Sequence, residues 1–200
     1  TPFGRIMANP EHIAELDGVD RLTVSLYRAG LGLSAVLIFA LAAVYGLRWG
    51  QAAPPAWIGP GLMVALGCAS TLCAVNLHLY VKTVRWVLQA AAPFGLALQA
   101  LALALPPTWW ISWPLQTAGL GFGLVTLSGL ALKERFCFRI FGLRIVPALL
   151  AGATLAVLVD WPPGVILTLF PSSIVLGWLT VAKTRQPLHY DIGDKSAYQI

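Results

Sequence analysis

Trp86 to Leu132 reads WVLQAAAPFGLALQALALALPPTWWISWPLQTAGLGFGLVTLSGLAL, with Arg85 before it, Lys133 after it, and no Asp, Glu, Lys, Arg or His between. As one helix rising about 1.5 Å per residue it would be about 70 Å long, more than twice the ~30 Å of a bilayer hydrocarbon core. The stretch must therefore cross a membrane twice. Pro106 and Pro107 lie near its middle. Proline lacks an N–H donor and clashes with the preceding turn, so this pair marks the hairpin between the two crossings.

The same rule, applied outward to the gaps between charges, gives four more spans. Ala29–Leu47 lies between Arg28 and Arg48 and stops before Ala53, Pro54 and Pro55, while Trp57–Tyr80 is closed by Lys82 and Arg85. Beyond Lys133, Glu134 and Arg135, a shorter run leads to Asp160; it begins a turn before Arg144, whose guanidinium snorkels to the headgroups. Pro162 and Pro163 make the next turn, and Val165–Ala182 ends at Lys183 and Arg185. The expected architecture is all-α: a polytopic bundle of six transmembrane helices, about 27–49, 57–80, 85–105, 110–132, 140–159 and 164–182, with both termini cytoplasmic. It is flanked by an N-terminal cytoplasmic segment (1–26) and a cytoplasmic tail (183–200). Asn9, Pro10 and Glu11 read as an N-cap and first turn, placing a short amphipathic helix before Asp17. The tail from Gln186 onward is polar and irregular.

Charge placement tests the count independently. Arg5, Arg21, Arg28, Lys82, Arg85, Lys133, Arg135, Arg139, Arg144, Lys183, Arg185 and Lys195 all fall on one face of a six-span topology, and only Arg48 falls on the other. The positive-inside bias makes the first face cytoplasmic. Trp49, Trp57, Trp109, Trp110, Trp113 and Trp161 gather at the opposite boundary, where indoles anchor between headgroup and acyl chain.

Composition agrees. The chain has 200 residues, 58% hydrophobic and 10% charged, and a mean hydropathy of +0.77, against roughly 25% charged residues in a soluble domain. The net charge of +5 is a topology signal, so no nucleic-acid partner is expected; the lipid bilayer is the first partner. No cleavable signal peptide or lipidation motif is legible, and a first residue other than Met points to a start that is processed or lies upstream.

Three sets of residues invite chemistry. Gly61, Ala65, Ala69 and Cys73 recur every four residues on the second helix, and Gly119 and Gly123 do so on the fourth; small residues at this spacing let helices approach closely, so they read as packing positions. Cys68 and Cys73 point to different sides of one helix and Cys137 lies on the reducing side, which disfavours disulfides, and no structural zinc spacing exists. At the cytoplasmic boundary, His78 and Tyr80 end one helix, and Lys133, Glu134 and Cys137 end another, with Asp20, Arg21 and Arg28 at the same depth. His78, Glu134 and Cys137 could hold a metal or pigment. The plainer reading of Asp20, Arg21, Arg28, Tyr80 and Lys133 is a boundary network of ion pairs and helix stops. No catalytic residue is assigned. No cofactor is required by the residues, although chlorophyll or carotenoid is compatible with them. No span carries an ionisable group at its centre, which disfavours a pump or transporter.

Asp20-Arg21-Leu22-Thr23-Val24-Ser25-Leu26-Tyr27-Arg28, Leu77-His78-Leu79-Tyr80 and LSGLALKERFCF at 127–138 together resemble an uncharacterised integral-membrane family, a domain of unknown function common in cyanobacteria and found in other bacteria. The resemblance covers roughly residues 17 to 182. It implies a multi-helix protein of a bacterial inner membrane, whether cytoplasmic, intracytoplasmic or thylakoid. By analogy it raises a non-catalytic accessory or assembly subunit of a larger photosynthetic or respiratory membrane complex. A membrane enzyme or metal- or pigment-binding protein with a cytoplasmic-boundary site, and a small-molecule transporter, are the alternatives.

Overall fold

The computed structural model describes residues 15–52 and 54–192. The short helix expected before Asp17 and the last residues of the tail lie outside this range. The described residues form seven helices: α1 (Gly18–Trp49), α2 (Ile58–Val75), α3 (Lys82–Ala104), α4 (Ser112–Cys137), α5 (Val146–Leu158), α6 (Pro162–Thr184) and α7 (His189–Ile192). Five are long and apolar enough to cross a membrane, and α5 is a shorter apolar helix. The protein is thus an all-helical membrane bundle, with α5 the sixth member.

Each membrane helix packs on its neighbour in sequence, α6 closes the ring against α1, and α2 also touches α4. Leu31, Ile38, Leu66, Leu124, Leu127 and Leu179 are fully buried at the centre. Where lipid supplies no hydrophobic drive, close approach must supply the contact. Gly95 of α3 and Gly119 of α4 do this: a Cβ on either would lie 2.5 Å from the other's carbonyl oxygen.

The helix ends depart from expectation for local reasons. α1 begins nine residues earlier than 27 because Asp17 and Asp20 form a reciprocal capping box, with Asp20 N–H donating to Asp17 Oδ1 at 2.7 Å and Asp17 N–H to Asp20 Oδ2 at 3.2 Å. α2 stops at Val75 rather than 80. There the Asn76 amide donates back to the Leu72 carbonyl at 2.8 Å, and residues 77–81 continue without helix. α3 ends before Leu105, whose extended ψ of 151° is the conformation imposed by the following Pro106. α4 runs past 132, because Leu132-Lys133-Glu134-Arg135 are strong helix formers and nothing breaks the ladder before Phe138.

The fifth span is the largest departure. Instead of 140–159, the helix covers only Val146–Leu158, 13 residues or about 20 Å. Gly142 adopts φ +98°, which L side chains rarely take, and Pro147 sits in the first turn. The chain therefore turns before it can wind. Arg144 consequently lies in the turn preceding the helix, exposed, and not within the helix as expected.

Candidate functional site

The structure gathers a charged cluster where α1, α4 and α6 end on the basic face. Tyr27 of α1 donates its hydroxyl to Glu134 Oε1 of α4 at 2.8 Å, and Lys183 Nζ of α6 donates to Glu134 Oε2 at 2.9 Å. Lys183 also contacts Asp191 Oδ1 of α7. Asp191 Oδ2 accepts from Arg28 Nε of α1 at 2.7 Å, and Arg28 further donates to the carbonyls of Gln186 at 2.7 Å and Pro187 at 3.1 Å. Lys133 reaches Glu134 Oε1 at 3.4 Å and stands over the Tyr27 ring at 5.1 Å. Three membrane helices and the tail are thus tied by one chain of charge-assisted bonds.

Burial makes these bonds matter. The side chains of Glu134, Lys183, Asp191 and Arg28 are 1%, 2%, 3% and 9% exposed, whereas Lys133 retains 17%. Buried charges persist only when paired and hydrogen-bonded. Among the described residues three cations face two carboxylates, so these groups carry one excess positive charge, and Lys133 is the most exposed of them.

A cavity of about 440 Å³ opens beside the cluster. Its floor includes Glu134, Lys183 and Asp191, and its walls include Leu79, Val84, Leu132 and Phe136. Val84, Leu132 and Phe136 are also exposed at the bundle surface, so the rim is apolar at the level of the membrane boundary. Gln186 lines the same space; it is 6% exposed, and its Oε1 has no hydrogen-bond partner among the described residues.

The expected boundary residues are only partly assembled here. Arg28, Lys133 and Glu134 belong to the cluster. His78, Tyr80 and Cys137 line the cavity, and His78 Nε2 lies 3.0 Å from Thr23 Oγ1, which ties the irregular link after α2 to α1. Asp20 serves the α1 cap, and Arg21 is exposed on the first turn of α1. Among the described residues no group of three His, Cys, Asp or Glu could hold a metal ion; Glu134 instead spends both oxygens on Tyr27 and Lys183. Tyr27, Lys183, Asp191 and Gln186 were not singled out from the sequence as site residues. An acid eight residues beyond Lys183 was the available signal for the returning tail, which is docked rather than irregular up to Ile192.

The packing residues divide. Ala69 and Cys73 are buried, and a Cβ on Gly30 of α1 would meet Cys73 Sγ at 2.8 Å. Gly119 meets Gly95, and Gly123 meets Ser70. Ala65 is half-buried, while Gly61 is exposed, and a methyl group there would have only Trp57, at the start of the same helix, within 4 Å. A cavity of about 790 Å³ lies between the last turns of α1 and the first turn of α2, on the opposite face. At its edge Arg48 makes a bidentate pair with Asp160, at 3.0 and 2.8 Å.

Comparison with known proteins places these features in a family. No solved structure matches the chain. An uncharacterized protein of Haemophilus influenzae is 32% identical over 201 residues, covering 97% of this chain and 100% of that relative. Residues 72–200, which include Lys133, Glu134, Lys183 and Asp191, match the uncharacterized integral membrane proteins grouped as DUF2301. The chain therefore belongs to the DUF2301 family of integral membrane proteins.

Proposed function

We propose that the protein is a non-catalytic membrane subunit that holds a small amphiphilic molecule in its boundary cavity and serves a larger complex of a bacterial inner membrane. The observation that carries this reading is the contrast between the cluster and the space beside it. Glu134, Lys183 and Asp191 neutralise one another at 1–3% exposure, an arrangement suited to holding helices together rather than to exchanging protons. The cavity next to them keeps a volume of about 440 Å³ and an apolar rim, which suits occupancy by a molecule with a polar head and an apolar body.

The test is purification from the native membrane in mild detergent, followed by a native gel, an absorption spectrum of the band, and mass spectrometry of its extracted small molecules. Migration well above 21.4 kDa plus a detergent micelle, with a stoichiometric amphiphile, is the expected result. A single small band with no retained molecule would overturn the reading.

A further inference from the structure

The geometry points to an anionic phospholipid with a hydroxyl-bearing headgroup, of the phosphatidylglycerol class, as the molecule that the boundary cavity binds; this rests on the binding reading above. Three independent features converge. Among the described residues the cluster of Arg28, Lys133 and Lys183 against Glu134 and Asp191 has one positive charge more than its carboxylates neutralise. That excess sits at Lys133, which is more exposed than its buried partners and only 3.4 Å from a carboxylate oxygen already accepting from Tyr27. Basic pockets between transmembrane helices on the cytoplasmic side attract anionic headgroups in this way.

The second feature is an unmet acceptor. Gln186 lines the cavity and is more than nine-tenths buried, and no donor among the described residues reaches its Oε1. A buried amide oxygen without a donor is costly, and a rotation of the Gln186 side chain toward the cavity that it lines would let a headgroup hydroxyl satisfy it while the phosphate meets Lys133. The third feature is the rim. Val84, Leu132 and Phe136 line the cavity and are exposed on the bundle surface at 46%, 42% and 74%, so acyl chains would leave the headgroup site directly along the outside of α3 and α4.

Native mass spectrometry of the full-length protein in detergent tests this, with dioctanoyl phosphatidylglycerol, phosphatidic acid and phosphatidylcholine of the same chain length, and glycerol 3-phosphate as separate probes. Phosphatidylglycerol should bind most tightly. Lys133→Gln should weaken it by about fivefold and erase its advantage over phosphatidylcholine, whereas Lys133→Arg retains it. Gln186→Leu should erase the preference for phosphatidylglycerol over phosphatidic acid, which lacks the headgroup hydroxyls. The two positions are independent, so a failure of one variant to fold leaves the other decisive. Equal binding of phosphatidylcholine and phosphatidylglycerol by the unaltered protein would overturn the inference and leave the binding reading standing. Binding of glycerol 3-phosphate as tight as that of the lipid would overturn it too, assigning the site to a soluble phosphate ester instead. If no amphiphile binds, the binding reading fails as well.

Discussion

Lys183 lies between two carboxylates, Glu134 of α4 and Asp191 of the returning tail, and is itself only 2% exposed. Its ammonium also stands 5.4 Å from the centres of both the Tyr27 and Phe138 rings, so cation–π attraction adds to the ion pairs. This nitrogen, together with the Arg28 guanidinium, joins the membrane bundle to the segment after it.

Removing that nitrogen should leave two buried carboxylates short of a partner. Lys183→Met is expected to destabilise the protein by about 3–5 kcal/mol, read as a lowered unfolding temperature in detergent. Adding Glu134→Gln should recover part of the loss, because the two residues interact directly, and a double-mutant cycle should show a coupling of at least ~1 kcal/mol. Simple additivity would show that the pair does not act as a unit.

Arg28 holds the tail through three acceptors: the Asp191 carboxylate and the carbonyls of Gln186 and Pro187. A lysine has no planar fork to span them. Arg28→Lys should therefore raise amide hydrogen exchange across residues 186–192 severalfold while leaving exchange in the middle of α4 unchanged. Equal protection in both proteins would mean that the docking rests on apolar contacts such as that of buried Ile192.

Two glycines on the recognisable stripes should differ sharply in their tolerance of a larger side chain. Gly119→Leu drives a side chain into the Gly95 carbonyl and Gln99 and should cost roughly 3 kcal/mol or more through overpacking. Gly61→Leu meets only Trp57 at the start of its own helix and should stay within about 1 kcal/mol of the parent, since it also exchanges glycine for a better helix former. Thermal unfolding of both variants in one detergent decides the matter.

On the opposite face, Arg48 and Asp160 are 39% and 49% exposed despite their bidentate geometry. Solvent screening should hold the loss in Arg48→Ala to within about 1 kcal/mol, and added salt should shrink it further. Asp160 also carries φ +49°, a conformation that asparagine tolerates, so Asp160→Asn should be as mild.

Orientation can be read with single cysteines placed at Gln51 and Arg185 in a background lacking Cys68, Cys73 and Cys137. A membrane-impermeant thiol reagent applied to intact cells should label position 51 and spare position 185. The reverse pattern would invert the assignment made from the basic residues.

The membrane architecture was legible because its signals are one-dimensional: charge-free length, proline pairs and the distribution of Lys and Arg need no knowledge of packing. The charge-free run from Trp86 to Leu132 required a hairpin that the structure places between α3 and α4. Helix ends were less legible, since Asn76, the Asp17–Asp20 box and Gly142 act through local hydrogen bonds and φ angles that hydropathy does not register. Glu134 stood out as an acid at a span end. Its neighbour in the cluster, Asp191, did not, because it reaches the other charges only through a turn at Gln186 and Pro187 that folds the tail back on the bundle.

The Arg28–Asp191 contact bridges 163 positions, and this separation imposes an order on biogenesis. The first helix enters the membrane long before its counter-ion has been translated; at ~5–20 residues per second, roughly 8–30 s pass between the two. During that interval Arg28 must stay hydrated at the interface, and a segment that leaves the ribosome late is the one that lets it be buried. Emergence of the tail is thereby coupled to closure of the bundle, so a product truncated before Asp191 would retain an uncompensated cation in its first helix, a mark by which quality-control proteases could tell it from the finished protein.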